Sequence, residues 1–427
     1  MREKEESVSE KNKLTKLEKA WVLYDVGNSA FTMLACSLIP IWFKALAIGT
    51  GPGQITSDQA TAYWALAMSV VTVIVAIMGP IFGAFTDIKD RKKVFFSIAL
   101  GVGVIGCFFG GIITSWLVFM IVLVITKVAY SSSQVFYDSM LNDVTTEERM
   151  DEVSSYGYAW GYIGSCIPFA IALGAYVLGP DMLGKISDSL SRNIGFGVTA
   201  IWWFVVTIPL LKEYKQIHYA DTKPGAIGAV FKQIGGTVVR IAKKEKKILF
   251  FLIAFFLYID GVGTIIDNCI NIGTDLGLNT VGQVVTLLLT QVVAFAFSLL
   301  FAKLSRNYST VQLIKVCIIG YFFVCLYALT LKSLIGFGIL AFGVGMFQGS
   351  IQSLSRSYYS KIIPPENAGE YFGLYDIFCK GASFLGSFVL AAVKLAGATI
   401  NIAVASLAIF FVFGYIFMSM ADKVKNA

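Results

Sequence analysis

Only one histidine, His218, occurs in 427 residues, and it sits in a polar stretch rather than in an apolar run. Imidazole-based catalysis and histidine-ligated metal centres therefore have almost no material to work with. Cysteine is sparse and scattered: Cys36, Cys107, Cys166, Cys269, Cys317, Cys325 and Cys379 stand singly in apolar segments. That lacks the clustered spacing of a zinc site or a secreted disulfide framework, and all seven read as packing residues. No complete Gly-x-x-x-x-Gly-Lys-Ser/Thr phosphate loop occurs, which argues against ATP-driven pumping. No enzymatic activity, cofactor or metal is expected. Charge is scarce too, at 14% of residues against 56% hydrophobic, far from the mix of a soluble globular chain.

What the chain has instead is long apolar runs, such as 65–85, 94–113 and 400–420. Each matches the ~20 residues with which a helix crosses about 30 Å of hydrocarbon. Hydropathy predicts an all-α membrane protein with spans near 20–47, 60–85, 94–114, 116–141, 153–179 and 193–211, then 248–272, 280–302, 310–331, 333–357, 368–396 and 399–421. Residues 1–19 are polar and of mixed charge, without the apolar stretch or cleavage site of a signal peptide. Lys and Arg are distributed unevenly. With the N-terminus inside, 26 of the 34 fall in the tails and cytoplasmic loops, and Lys185, Arg192, Lys332 and Lys394 fall on the other side. Cytoplasmic loops retain basic residues, so both termini are expected in the cytoplasm. The same distribution accounts for the net charge of +7 without a nucleic-acid partner.

The longest polar stretch, 212–247, contains Pro224 and Gly225. It divides the chain into a tail (1–19), a six-helix half (20–211), a cytoplasmic linker (212–247), a second six-helix half (248–421) and a short tail (422–427). The basic end of the linker, Lys243, Lys244, Lys246 and Lys247, reads as a contact with anionic lipid headgroups. The halves echo one another: Val144-Thr-Thr-Glu147 against Ile363-Pro-Pro-Glu366, Tyr156 against Tyr375, Gly164-Ser165 against Gly386-Ser387, and Tyr24-Asp25 against Tyr258-Ile-Asp260. Repeated halves around a midplane site are a transporter architecture, here expected as a monomer with pseudo-two-fold symmetry.

Between spans two and three lies Gly83-Ala-Phe-Thr-Asp87-Ile-Lys-Asp-Arg91-Lys92, which resembles the Gly-x-x-x-Asp-x-x-x-Arg-Lys loop of the major facilitator superfamily. Gly83 permits close helix approach, Asp87 suits the positive N-terminus of a neighbouring helix, and Arg91 suits an acid. The resemblance implies that the helix is span eleven and that the acid lies near the end of span four, with Asp138 the candidate. The equivalent loop, Ala302-Lys-Leu-Ser-Arg306, lacks the aspartate, so a one-sided latch is expected. Four further segments carry a narrower resemblance: Tyr24-Asp25-Val-Gly-Asn28-Ser29-Ala-Phe31, Phe136-Tyr137-Asp-Ser-Met-Leu-Asn-Asp143, Tyr258-Ile-Asp260-Gly261, and Gln348-Gly-Ser-Ile-Gln352-Ser-Leu-Ser-Arg356 continuing to Glu370-Tyr-Phe-Gly-Leu-Tyr375 and Lys380. Together they are similar to the vacuole-effluxer-like branch, from about residue 20 to 387. Val26-Gly27 stands where that branch usually has Trp-Ala. The branch's eukaryotic members are associated with amino-acid efflux from vacuoles, which implies a transporter of an amino acid or related carboxylate. For a bacterial-looking chain it also implies the cytoplasmic membrane.

Ionisable groups deep in a span are costly and are functional candidates by default. Counting from span ends puts Lys127, Asp260 and Lys380 near the midplane, Asp25, Asp138 and Asp376 nearer the cytoplasm, and Asp267 nearer the outside. Helical spacing groups Lys127 with Tyr130 and Gln134, Asp25 with Asn28 and Thr32, Asp260 with Asp267, Asn268 and Asn271, and Gln348 with Gln352 and Arg356. These stripes are expected to face one cavity, with Lys127, Tyr130, Gln134, Asn28, Tyr258, Asp260, Asn268, Gln348, Gln352, Tyr375 and Lys380 the candidate substrate-binding set. The bland alternative is a fixed Asp260–Lys380 ion pair with Asp25 as a cap. With no histidine in a span, a coupling proton needs a carboxylate raised by desolvation, Asp260 first and Asp25 second. Sodium on the hard oxygens of Asp25 and Asn28, or of Asp260 and Asn268, is the rival. Two other functions fit the same fold: a lipid or lysolipid translocase, and a transport-dead membrane sensor.

Overall fold

A computed structural model describes residues 13–51, 53–177, 187–220, 227–278, 280–381 and 384–424. Lys185, Pro224, Gly225 and the Asn271 side chain, singled out above, lie outside the described residues. Twelve helices are long and apolar enough to cross a membrane: Lys16–Ala47, Ser57–Thr86, Lys92–Ile112, Trp116–Ser139, Glu147–Val177 and Asp188–Glu213, then Lys246–Asp267, Val285–Leu304, Thr310–Thr330, Leu334–Ile362, Pro365–Leu395 and Ile400–Lys423. They are spans one to twelve below. A further helix, Ile227–Lys243, lies in the linker.

Span ends follow local chemistry that hydropathy does not register. Span one begins at Lys16, four residues before the expected start, because Thr15 and Glu18 form a reciprocal capping box. Thr56 with Gln59 and Ser309 with Gln312 start spans two and nine in the same way. Span seven stops at Asp267, and a separate short helix, Cys269–Asp275, follows where one continuous span to 272 was expected. Asn268 terminates it by turning its side chain back onto the Thr264 carbonyl.

Span one packs on spans five and six, and span seven on span twelve. Between the halves, span two lies on span eleven and span five on span eight. Spans two and eight are equivalent in the two halves, as are five and eleven, so the two crossings are one contact used twice. The repeat is also visible inside each half. Tyr24 of span one hydrogen-bonds Ser133 of span four at 2.7 Å, and Tyr258 of span seven hydrogen-bonds Ser355 of span ten at 2.6 Å. Large apolar side chains such as Leu66, Val73, Ile98, Ile105 and Ile125 are left exposed on the outer surface, where hydrocarbon rather than water is their solvent.

Candidate functional site: a polar chain ending at a buried arginine

Span four presents one accessible polar stripe through an otherwise buried stretch. Lys127, Tyr130, Gln134 and Asp138 are each half-buried, and most of the residues around Gln134 and Asp138 are closed off. Their spacing of three and four residues puts them on one face. Span one answers with Thr32 and Cys36, both exposed although they lie mid-helix. Hydrogen bonds join the two helices, Thr32 to the Tyr130 hydroxyl at 2.6 Å and the Asn28 amide to Gln134 Oε1 at 3.0 Å, while within span four Gln134 Nε2 donates to the same hydroxyl at 3.4 Å. Asn28 also donates to Asp25 Oδ1 at 3.3 Å.

That chain ends on Arg356 of span ten, which crosses from the other half and is 2% exposed. Its guanidinium donates to Asp25 Oδ2 at 3.1 Å, Asp138 Oδ1 at 3.0 Å, the Ser154 hydroxyl at 2.9 Å and the Ser154 carbonyl at 3.1 Å. The rings of Trp21, Tyr137 and Tyr158 surround it within 4.5–5.4 Å. A fork of five donors is the group that can satisfy so many acceptors at once. In the sequence Arg356 reads as the last member of a glutamine stripe and as one of the 26 basic residues of the tails and cytoplasmic loops, whereas the structure buries it within span ten. Its role as the meeting point of both halves depends on tertiary placement that spacing does not encode.

Around it, the described bonds between halves gather at the end of the bundle that carries the termini. Asn142 donates to the Ser360 carbonyl, and Ser154 to the Ser353 carbonyl. Asp151 accepts from Thr310, Ser357 and Lys361 at 2.6–2.7 Å. The bundle is closed at this end.

Asp87 sits against the start of span eleven, accepting from Gly369 N at 2.7 Å and Glu370 N at 2.9 Å. Gly83 is needed for that approach, since a Cβ there would stand 2.1 Å from the Gly369 carbonyl oxygen. Two expectations about this loop are corrected. Arg91 is exposed and makes no ion pair among the described residues, and Asp138 belongs to Arg356. The buried cation of the loop is Lys92, paired at 3.3 Å with Asp143, both side chains wholly buried. One residue of helix rotation decides this: Lys92 points inward at the start of span three and Arg91 points to water. Burial pushes the Asp143 carboxyl up, but Lys92, the Tyr214 hydroxyl at 2.5 Å and the His218 N–H outweigh it and hold it below the usual range.

The equivalent loop of the second half makes a contact of different chemistry. Arg306, in the equivalent loop, pairs at 2.5 Å with Glu152 in the first turn of span five. An arginine on a carboxylate replaces an aspartate on backbone N–H groups.

Burial pushes the Asp87 carboxyl up to about 7, despite Lys92 and the two N–H groups, which act to lower it. Released to water, the group would return towards its ordinary 3.8. The latched form therefore holds the proton more tightly, is favoured as pH falls from about 7 towards 4, and loses that advantage above 7. Maleimide labelling of Ser360→Cys, at a position buried beneath the closed end, taken at each pH relative to an exposed thiol because the thiolate is the reacting form, is expected to quicken as pH rises from about 4 towards 7 and to level off above it. In Asp87→Asn that dependence should flatten.

The second-half candidates are mostly packed rather than cavity-facing. Asp260 is 0% exposed and accepts from Gly386 N at 2.9 Å and from Thr264 at 3.4 Å. Lys380 pairs with Asp376 one turn away on its own helix, so the alternative of an Asp260–Lys380 pair is corrected as well. Tyr258 is fully buried on Ser355, and Tyr375 stacks on Phe255 and Tyr359. Gln348 is buried, and Gln352 folds back onto its carbonyl. Asn268 stays with span seven's end. The structure thus brings together Lys127, Tyr130, Gln134, Asn28 and Asp25, and leaves Tyr258, Asp260, Asn268 and Tyr375 outside that chain.

A family model described as vacuole effluxer Atg22 like matches residues 15–427. The chain belongs to that family. It is 37% identical over 414 residues to the uncharacterized MFS-type transporter YxiO of Bacillus subtilis strain 168, covering 96% of each chain. It is 28% identical over 266 residues to autophagy-related protein 22-1 of Penicillium rubens, spanning 56% of this chain and 44% of that one. Among solved structures, the major facilitator transporter FucP in its outward conformation superposes with a TM-score of 0.72 at 14% identity, over 96% of this chain and 98% of FucP. The human organic anion transporter MFSD10 gives 0.70 at 13% identity, over 94% and 98%. At such identities the likeness shows the fold alone. This Atg22-like chain is an integral membrane protein of the major facilitator type, an MFS-type transporter with the twelve-span fold.

Proposed function

We propose that this protein moves a small solute bearing a carboxylate, such as an amino acid, by proton-coupled alternating access between halves 20–211 and 248–421. With the termini cytoplasmic, its closed end faces the cytoplasm and this form is outward-facing. The observation that carries the reading is Lys127. Its ammonium lies on the accessible stripe with a thioether, Met68 Sδ at 3.2 Å, as its hydrogen-bond acceptor. Cys36 and Asp267 are within electrostatic reach, but no carboxylate pairs with it among the described residues. A half-buried cation so placed calls for an anion from outside. Tyr130, Gln134 and Asn28 would complete the solute contact, and Asp25, shared between Asn28 and Arg356, is better placed than Asp260 to carry the proton. A solute that draws Gln134 and Asn28 towards itself loosens Asp25, and with it the closed end.

Lys127→Met is expected to weaken binding of carboxylate solutes by about tenfold or more, the ~1.5–3 kcal/mol of a charge-assisted hydrogen bond, with neutral analogues nearly unchanged. Binding to purified protein measures the first part; equal losses for both ligand classes would sink it. In proteoliposomes, uptake should follow an imposed pH gradient and fail in Asp25→Asn. Uptake driven by sodium at symmetric pH would remove the proton.

A further inference from the structure

The linker helix Ile227–Lys243 divides into three sectors at about 100° per residue. Val230, Thr237 and Ile241 are buried, with Ile234 half-buried between them, and this sector packs on the ends of spans two and seven. Beside it, Phe231, Val238 and Val239 are 53%, 47% and 52% exposed, with Gly235 and Ala242 on the same side. Lys232 and Lys243 border this second apolar strip, and Lys244, Lys246 and Lys247 follow directly. A linker lying in water has no reason to keep a phenylalanine and two valines on its outer face. An apolar strip rimmed by lysines is the pattern of a helix lying in the plane of a bilayer surface.

The third sector faces span eleven. Gln233 Nε2 donates to Glu370 Oε2 at 2.7 Å, and the backbone N–H of that same Glu370 is held by Asp87 Oδ2 at 2.9 Å. Farther along, Arg240 pairs with Glu245 at 3.3 Å, which accepts from the Tyr371 hydroxyl at 2.8 Å. A polar cavity of about 650 Å³ separates Gly236 from Glu366 and Asn367. The helix is therefore fastened to the first turn of span eleven at two points, with room between them.

We propose that the linker helix is an interfacial anchor that reads the negative charge of the membrane surface on the side of the termini, and that it transmits this to the Asp87 latch through Gln233 and Glu370. Its partner is an anionic phospholipid surface. The apolar strip seats it among the acyl chains, and the lysines set its depth by headgroup charge. A seated helix holds span eleven in the latched position.

The test uses the full chain in vesicles of phosphatidylcholine alone or mixed with phosphatidylglycerol. A polarity-sensitive label on Phe231→Cys, with the unsubstituted protein as labelling background, should report an apolar environment that deepens with the anionic lipid. Ser360→Cys labelling should slow about threefold or more in the anionic vesicles, several basic residues each contributing at the surface. Replacing Lys243, Lys244, Lys246 and Lys247 by Gln should remove both responses. Gln233→Ala should keep the insertion signal and lose the slowing, a separation that a purely structural linker would not give. A label that stays in water in both vesicles overturns the anchor. Slowing that persists in Gln233→Ala overturns the route to the latch. Neither readout requires a transported solute, so both stand apart from the transport assays above.

Discussion

Arg356→Met is expected to open the closed end and to abolish transport. The substitution leaves Asp25 and Asp138 facing each other in a site where the arginine side chain is 2% exposed and those of the two acids 7% and 20%. Removing one partner of a buried ion pair costs about 3–5 kcal/mol, because the remaining charge has lost both water and its counter-ion. At 1.4 kcal/mol per decade, the closed population should fall by a factor on the order of 100 or more. The direct reading is the labelling rate of Ser360→Cys, which should rise towards that of an accessible thiol while uptake is lost. Arg356→Lys should fall between, since an ammonium cannot serve Asp25, Asp138 and Ser154 with one rigid fork. Adding Asp25→Asn and Asp138→Asn to Arg356→Met removes the stranded charges and should restore part of the closure. Labelling within twofold of the parent in the single variant would show that Arg356 does not hold the gate.

The fold was legible because each span repeats one simple signal, and twelve long apolar runs leave little freedom of interpretation. The loop at Gly83 to Lys92 was legible as a motif, since glycine for approach and aspartate for a helix N-terminus are local requirements. Pairings across the molecule were not. Arg91 and Lys92 are adjacent cations, and only the helix phase chooses between them. Asp138 and Asp143 lie within five residues, and the partner of each comes from a distant segment, Arg356 for one and Lys92 with the linker for the other. The shared face of Lys127, Tyr130 and Gln134 was readable from spacing, because span four keeps its face through the bundle. The second-half stripe around Asp260 failed for a physical reason: span eleven lies against it, and the Gly386 N–H takes the carboxylate that hydropathy would have given to solute. The glycines of span three show the same dependence on tertiary placement: Gly103 packs on Trp203 and Gly106 on Thr126, whereas Gly101 faces open space.

Gly83→Val is expected to hold the protein open at the end that carries the termini. Spans two and eleven cross through two facing glycine pairs, Gly79 with Gly83 and Gly369 with Gly373. A Cβ on Gly83 would lie 2.1 Å from the Gly369 carbonyl oxygen, and one on Gly373 would lie 2.5 Å from the Gly79 oxygen. Both clashes are with backbone, so no side chain can swing aside to relieve them. The helices must separate, and separation stretches the bonds at 2.7 and 2.9 Å that Asp87 accepts from Gly369 and Glu370. Above pH 7, where Asp87 is ionised, steric expulsion and loss of two charge-assisted hydrogen bonds act in the same direction, at about 1.5–3 kcal/mol for each bond. Together they shift the closed-to-open ratio by a factor on the order of 100 or more. The open form relieves the clash at Gly83, so Gly83→Val should still fold and insert, which thermal unfolding in detergent can check. Ser360→Cys labelling should become fast, and transport should fall because the return to the closed form is blocked. Gly101→Ala, where a Cβ meets nothing within 4 Å, serves as the control and should leave both readouts unchanged. Slow labelling in Gly83→Val, with the protein folded, would mean that the crossing of spans two and eleven is not what closes this end.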